Sequence, residues 1–289
     1  MTTAAPRPRR SALYMPGGNA RAIEKARTLP GDVVILDLED SVAPEAKAEA
    51  RVMACDAARA AGFGRRELVI RVNGLDTPWG ADDLAAAARA GADAVLVPKV
   101  CTPADLAAYR KALGPEPALW AMIETCAAVF ALDALGRASP GEGVAAWVIG
   151  TNDLVKEMRC RPAPPRAPLM PALSLSVMAA RAHGVAILDG VWNDIPDLAG
   201  LARECAQGVA LGFDGKSLIH PTHLEPANRA FSPTPEEVAW ARLVSDAFDL
   251  PENAGKGVIK VDGRMVERLH LAQARQVIAV ARAIAAHEV

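Results

Sequence analysis

"VVILDLED", residues 33–40, begins as a short strand buried on both faces: its first four residues are apolar and two of those valine. It then closes on Asp37, Glu39 and Asp40, three acids within four positions. Clustered carboxylates at the end of a buried strand either hold a cation or pair with bases nearby. Side chains alternate faces along a strand. Asp37 and Glu39 are therefore expected to face a site together, with Asp40 opening the following loop.

The same pattern recurs along the chain. Short apolar runs stand at 11–16, 67–72, 94–99, 118–124, 145–150, 185–190 and 212–219, which with 33–38 makes eight. Between them lie Ala-rich amphipathic stretches such as 43–62 and 102–114. Strand and helix in strict alternation imply right-handed βαβ units and a parallel sheet. Eight units predict a closed (β/α)8 TIM barrel, an α/β fold; an open doubly wound sheet is the rival. After residue 220 the alternation stops. Residues 232–250 predict a helix with Pro near its start, 253–267 a Gly-rich, hairpin-like piece, and 270–288 a last helix. The expected organisation is a disordered tail over 1–10, a barrel over 11–225 and a C-terminal helical extension over 226–289. The Pro-rich loop "CRPAPPRAPLMP" (160–171) after the sixth strand is either a lid or a rigid surface loop.

The totals exclude several function classes. A net charge of −2 gives no field for nucleic acid. No apolar run is long enough to span a membrane, and the basic start lacks the apolar core of a secretory signal. The five cysteines are widely spaced with no C-x-x-C, as expected of reduced thiols in a cytoplasmic enzyme.

In barrel enzymes the active site lies at the C-terminal ends of the strands. Those ends carry Tyr14; Asp37, Glu39 and Asp40; Arg71 and Asn73; Lys99; Glu124; Asn152 and Asp153; Asp189; and His220. Ionisable groups at nearly every end argue for an enzyme. Glu124 and Asp153 follow neighbouring strands, roughly 5 Å apart, so both carboxylates can reach one cation. Two hard oxygen ligands with water completing the shell suit Mg2+, with Mn2+ able to substitute. No Cys–His pairs point to zinc. The bland alternative is that both are helix caps. Arg71 is the Arg at a strand end, placed to clamp a carboxylate or carbonyl, or to bridge to the Asp37/Glu39 group. Lys99 could be a Schiff-base nucleophile, but the acids of the second strand would keep it protonated, which favours an electrostatic role. "PGG" (16–18) is a weak phosphate-binding signal, and "HPTH" (220–223) only superficially a metal pair. No G-x-S-x-G, Walker A or G-x-G-x-x-G motif is present.

Taken as a set, "RSALYMPG", "DLEDSV", "RVNG", "VPK", "GTNDL", "GFDGKSLIHP" and "VDGRMVE" resemble the citrate lyase β-subunit-like branch of the HpcH/HpaI aldolase superfamily. The match covers nearly the whole chain and is most similar to malyl-CoA and β-methylmalyl-CoA lyases and (3S)-malyl-CoA thioesterases. The resemblance implies a TIM barrel and Mg2+ on Glu124 and Asp153. It implies catalytic roles for Arg71 and for Glu267, the latter reaching a neighbouring subunit's site from the C-terminal extension. It implies substrate or coenzyme A contacts at Tyr14, Lys25, Arg71, Glu124, Asn152, Ile219 and His220. Asp37 is expected to support catalysis at Arg71, with Glu39, Asp40 and Lys99 one step removed from the metal. The implied assembly is a homotrimer or dimer of trimers. Two departures stand out: Asn19 replaces a coenzyme A-contacting Arg of some relatives, and Glu267 replaces a catalytic Asp of many lyases. The leading expectation is a Mg2+-dependent lyase giving glyoxylate and acetyl-CoA or propionyl-CoA from a malyl-CoA-type ester. Hydrolysis to malate and CoA at the same site is the alternative. Rivals are a metal-dependent aldolase on free 2-oxo acids and a non-catalytic subunit of a lyase complex.

Overall fold

β-Branched and aliphatic runs too short for stable helices pair here into eight parallel strands, which close in sequence order. The computed structural model describes residues 7–161 and 164–288. The strands are β1 (Ser11–Pro16), β2 (Val33–Asp37), β3 (Glu67–Arg71), β4 (Ala94–Val97), β5 (Ala118–Ile123), β6 (Val144–Ile149), β7 (Ala186–Asp189) and β8 (Gly215–Leu218). Closure comes from β1 against β8, with Ala12 opposite Ser217 and Leu13 opposite Leu218. The connecting helices are α1 (Ala20–Ala26), α2 (Lys47–Arg59), α3 (Gly80–Ala87), α4 (Pro103–Leu113), α5 (Cys126–Phe130) and α6 (Leu132–Ala138). They continue with α7 (Thr151–Met158), α8 (Met170–His183), α9 (Leu198–Leu211) and α10 (Leu224–Ala230). Inside the barrel, Val33, Ile35, Val69, Leu96, Trp120 and Val148 pack with almost no exposure. The barrel is therefore a filled core, and its chemistry is confined to the rim.

Of the tail expected over 1–10, residues 1–6 lie outside the described residues. Arg9 and Arg10 correct the rest of that expectation, because both are anchored by ion pairs. Arg9 holds Glu67 at 2.7 Å and stacks over Trp120. Arg10, 5% exposed, holds Asp32 at 2.8 Å. Both carboxylates sit where strands begin, so the two arginines close the end of the barrel away from the active rim.

The chain divides into two compact units, with the break between Arg229 and Ala230 rather than at 225/226. The difference arises because α10 belongs to the barrel: Asn228 accepts from Ser11 Oγ at 2.6 Å and donates to Pro30 O at 2.6 Å. The C-terminal unit contains α11 (Pro235–Asp249), β9 (Val258–Val261), β10 (Arg264–Glu267) and α12 (Arg268–Glu288). A capping box between Thr234 and Glu237, with Pro235 at the first position, starts α11. Asp262 and Gly263 both have positive φ, 45° and 78°, as a two-residue hairpin turn requires. Val244, Phe248, Ile259, Val261, Val266 and Leu271 form that unit's own core.

Candidate active site

β2 stops at Asp37, and the next residues turn to meet Arg71 at the end of β3. Arg71 Nε donates to Asp37 Oδ1 at 2.7 Å and Nη2 to Asp37 Oδ2 at 2.8 Å. Arg71 Nη1 donates to Asp40 Oδ2 at 3.1 Å and lies 2.8 Å from Glu39 Oε2. The guanidinium rests on the Tyr14 ring, 4.7 Å from its centroid. Asp37 accepts two more bonds, from the amides of Glu39 (2.9 Å) and Ser41 (3.1 Å). All four of its acceptor positions are thus occupied. Asp37 thus has no acceptor left for a substrate, and its contacts are those of a group that aims Arg71. Burial works to raise the Asp37 pKa, but the charge and hydrogen bonds of Arg71 outweigh it and hold the carboxyl below its usual range. Asp40, expected to open a loop and to lie one step removed from the metal, turns back to Arg71 and lines the cavity. Lys47 fixes the turn by donating to the carbonyls of Leu38 (2.8 Å) and Glu39 (2.6 Å).

Glu39 differs from its neighbours. Burial, reinforced by Asp40, Glu124 and Asp37, pushes it up to about 8 against the pull of Arg71. One guanidinium shared among three carboxylates cannot hold them all ionised. Glu39 Oε2, though close to Arg71, accepts no hydrogen bond among the described residues.

Across the rim, Glu124 follows β5 and is 2% exposed. Its Oε1 accepts from the Lys99 amide at 2.7 Å, while Lys99 Nζ reaches Asp153 Oδ1 at 3.3 Å in the first turn of α7. Lys99 has φ +52°, a left-handed conformation uncommon outside glycine, and this aims its amide at Glu124. Burial alone would lower the Lys99 pKa, but Glu124 and Asp153 raise it, so the amine is a protonated cation. Burial raises Glu124, and Lys99 offsets this only in part. Gly150 packs against Glu124; a Cβ there would clash with Glu124 Cβ and come 2.7 Å from Oε2. The carboxylate therefore sits in a cradle that only glycine leaves open. Among the described residues, no group of three or more His, Cys, Asp or Glu could hold a metal. A cation here would have two protein oxygens, from Glu124 and Asp153, and take the rest from substrate and water.

These groups line one cavity of about 300 Å³, with Tyr14, Asp37, Asp40, Arg71, Glu124 and Asp153 in its wall. Asn152 and Ile219 also line it. Asn152 exchanges amide hydrogen bonds with Asn193, at 2.7 and 3.3 Å. Asn193 lies in the irregular loop after β7, beyond the reach of the strand-end pattern, whose ionisable residue on that strand is Asp189. Asp189 is fully buried and bound to Arg166 and Lys216, a structural ion cluster beneath the rim. Other expected contacts are not in the wall. His220 Nδ1 is committed to Thr222. Lys25 is exposed on α1. Asn19 caps α1, accepting from the Ala22 amide at 3.0 Å, which explains its side chain without a ligand. Glu267 ends β10 in the C-terminal unit, and its amide donates to His270 Nδ1 at 2.9 Å.

Residues 10–221 match the model of the HpcH/HpaI aldolase/citrate lyase family. A (3S)-malyl-CoA thioesterase of Cereibacter sphaeroides is 49% identical over 279 residues, covering 96% of both chains. The citrate lyase subunit beta of Escherichia coli is 36% identical over 282 residues, covering 94% of this chain and 93% of that one. The structure of CitE from Mycobacterium tuberculosis, in complex with magnesium, acetoacetate and coenzyme A, superposes with TM-score 0.77 at 28% identity, covering 94% and 97% of the two chains.

Proposed function

The chain belongs to the HpcH/HpaI aldolase/citrate lyase family of enzymes, and from that premise we propose that it hydrolyses a malyl-CoA-type 3-hydroxyacyl-CoA with Mg2+, releasing free CoA and a hydroxy diacid such as malate. The observation that carries the choice of hydrolysis is the 49% identity, over 96% of both chains, to a (3S)-malyl-CoA thioesterase. The expectation from the motifs leaned instead to carbon–carbon cleavage. That remains the second reading, supported by the identity to a citrate lyase subunit and by a relative that binds magnesium with acetoacetate and coenzyme A.

The residues present fit the cation. Glu124 and Asp153 are held at one cavity by Lys99, and Mg2+ characteristically takes few protein carboxylates and leaves positions for substrate and water. Bound there, the ion would polarise the oxygens of the substrate's hydroxy acid. Arg71 has five N–H groups, of which three are used on Asp37 and Asp40. Of the two donors left, the one on Nη1 has Glu39 Oε2 2.8 Å from its nitrogen, and the one on Nη2 can bind the substrate carboxylate or the oxygen on which charge develops. Lys99 stays an ammonium, which supports electrostatics and opposes Schiff-base chemistry. Glu267 is retained as the general base that directs water, brought in by a neighbouring copy of the chain in a homotrimer or dimer of trimers. Glu carries its carboxylate one methylene further than Asp, which shifts the acid/base from the position an Asp would give it and leaves room for hydrolysis. The five free cysteines suit a reducing, cytoplasmic setting. Among the described residues no helix is long and apolar enough to cross a membrane.

The test is a product assay. Enzyme, Mg2+ and (3S)-malyl-CoA are expected to give malate and free CoA thiol in equal amounts. Glyoxylate with acetyl-CoA would select cleavage instead. Neither pair, with control enzymes active, would overturn both readings.

A further inference from the structure

Lys216 lies on β8 with its side chain fully buried. An ammonium survives there only with an acceptor for each of its three N–H groups. It has them: Nζ donates to Asp189 Oδ2 at 3.1 Å, to Glu204 Oε1 at 2.7 Å and to the carbonyl of Gly190. Arg166, from the Pro-rich loop, completes the cluster. Its Nη1 donates to both oxygens of Asp189, at 2.8 and 3.0 Å, and its Nε lies 3.3 Å from Glu204 Oε2. Two cations thus face two carboxylates.

The cluster also grips the main chain that leaves β7. The Gly190 amide donates to Asp189 Oδ1 at 2.8 Å while its carbonyl accepts from Lys216, so both backbone polar groups of this residue are fixed. Gly190 is buried against Thr151; a Cβ there would come 2.5 Å from Thr151 Oγ1 and 2.6 Å from Cγ2. Thr151 is the first residue of α7, and Asp153 stands in that helix's first turn. The N-cap of α7 is Gly150, which has no side chain to bond the free amides of that turn. The start of α7 is therefore set from outside, by what packs against it.

We propose that Lys216 is a positioning residue for the cation site: it holds Gly190 against Thr151 and so fixes the start of the helix that carries Asp153. The proposal rests on the reading of Glu124 and Asp153 as cation ligands. A cluster serving stability alone would leave cation affinity untouched wherever the fold is kept, and the test uses that distinction.

Mn2+ is titrated into the full-length protein by electron paramagnetic resonance, and each variant is also melted in EDTA. Lys216→Met alone leaves two buried carboxylates to one arginine, which endangers the fold. The main variant therefore joins Lys216→Met to Glu204→Gln. This removes one charge of each sign and leaves Asp189 paired with Arg166. It is expected to fold and to bind Mn2+ about tenfold more weakly, the lower end of the range for supports of a metal ligand. Gly190→Ala, which alters no charge, is expected to weaken Mn2+ binding by a similar factor. Adding Thr151→Ala, which removes the atoms the new methyl meets, should restore most of the loss. Arg9→Met with Glu67→Gln makes the same exchange at the opposite end of the barrel and should leave Mn2+ affinity unchanged, whatever happens to the melt. Native Mn2+ affinity in the folded Lys216→Met/Glu204→Gln protein, native affinity in Gly190→Ala, or an equal loss in the Arg9 exchange would each overturn the positioning role. Glu124→Gln separates the two levels of the argument. Unchanged affinity in that variant overturns the cation reading and this proposal together, whereas a loss there beside native affinity in the Lys216 exchange overturns the positioning role alone.

Discussion

Arg71 and Asp37 meet in a two-point ion pair, Nε to Oδ1 at 2.7 Å and Nη2 to Oδ2 at 2.8 Å, with both side chains almost fully buried. The fork geometry fixes the plane of the guanidinium as well as its position. Removing Asp37 leaves a buried cation short of its main partner. Asp37→Ala is therefore expected to destabilise the protein by about 3–5 kcal/mol and to lower kcat/KM by at least about 100-fold. Arg71→Lys keeps the charge but loses the fork, so it should lose activity with a smaller loss of stability. Thermal melts paired with kinetics separate the two. An Asp37→Ala enzyme with native kcat/KM would show that Arg71 needs no aiming.

Glu39 sets a pH dependence of the metal-free protein. Its pKa rises from an ordinary 4.5 to about 8 on folding. Between those values the unfolded chain releases this proton while the folded chain keeps it. The folded state then binds more protons, and stability falls as pH rises through that window. Glu39→Gln should remove this slope and leave melting temperatures in EDTA flatter from about pH 5 to 8. Asp37 and Asp189 have the opposite sign. Both are held below 3.8 on folding by cationic partners that outweigh their burial. Their stabilisation is complete above the ordinary value and lost as pH falls through the folded ones. Melts across pH 2 to 9 test both limbs; an unchanged slope in Glu39→Gln would assign the alkaline limb elsewhere.

Lys99 is expected to form no covalent adduct. Its ammonium lies 3.3 Å from Asp153, and the neighbouring carboxylates favour the charged form. After incubation with glyoxylate and cyanoborohydride, peptide mapping should find Lys99 unmodified, whatever exposed lysines such as Lys25 acquire. A mass increase lost in Lys99→Met would place amine chemistry at this site.

The barrel was legible because its signal is local and repeated: eight apolar runs, each ending where a strand ends to within three residues or so. The site was legible in outline for the same reason, since the barrel rim collects strand ends. What escaped was the direction of side chains beyond those ends. Alternation stops where β2 stops at Asp37, so it could not foretell that Asp40 turns back to Arg71. Asp189 ends β7 and Asp153 stands just past β6 in the first turn of α7, yet one is buried against Lys216 and Arg166 while the other faces the cavity. That difference depends on Arg166, from a loop 23 residues away, and is set by tertiary packing.

Gly150 offers a test of the cation site that spares both carboxylates. It separates β6 from α7 directly beside Glu124. A methyl group there would clash with Glu124 Cβ and stand 2.7 Å from Oε2 and 3.1 Å from Met122 Cε, so Glu124 must move together with the backbone that carries it. Gly150 has φ −94°, which alanine tolerates, so the backbone itself is not strained by the change. Gly150→Ala is thus expected to displace the Glu124 end of β5, lower the melting temperature and lose cation affinity by about 10- to 100-fold, the range for disturbing the support of a metal ligand. Glu124→Gln, which removes the charge, should lose more. Mn2+ titration followed by electron paramagnetic resonance measures both without relying on turnover, and EDTA should abolish activity in the wild type. Unchanged Mn2+ affinity in Glu124→Gln would remove Glu124 from the site, whatever the activity of that variant.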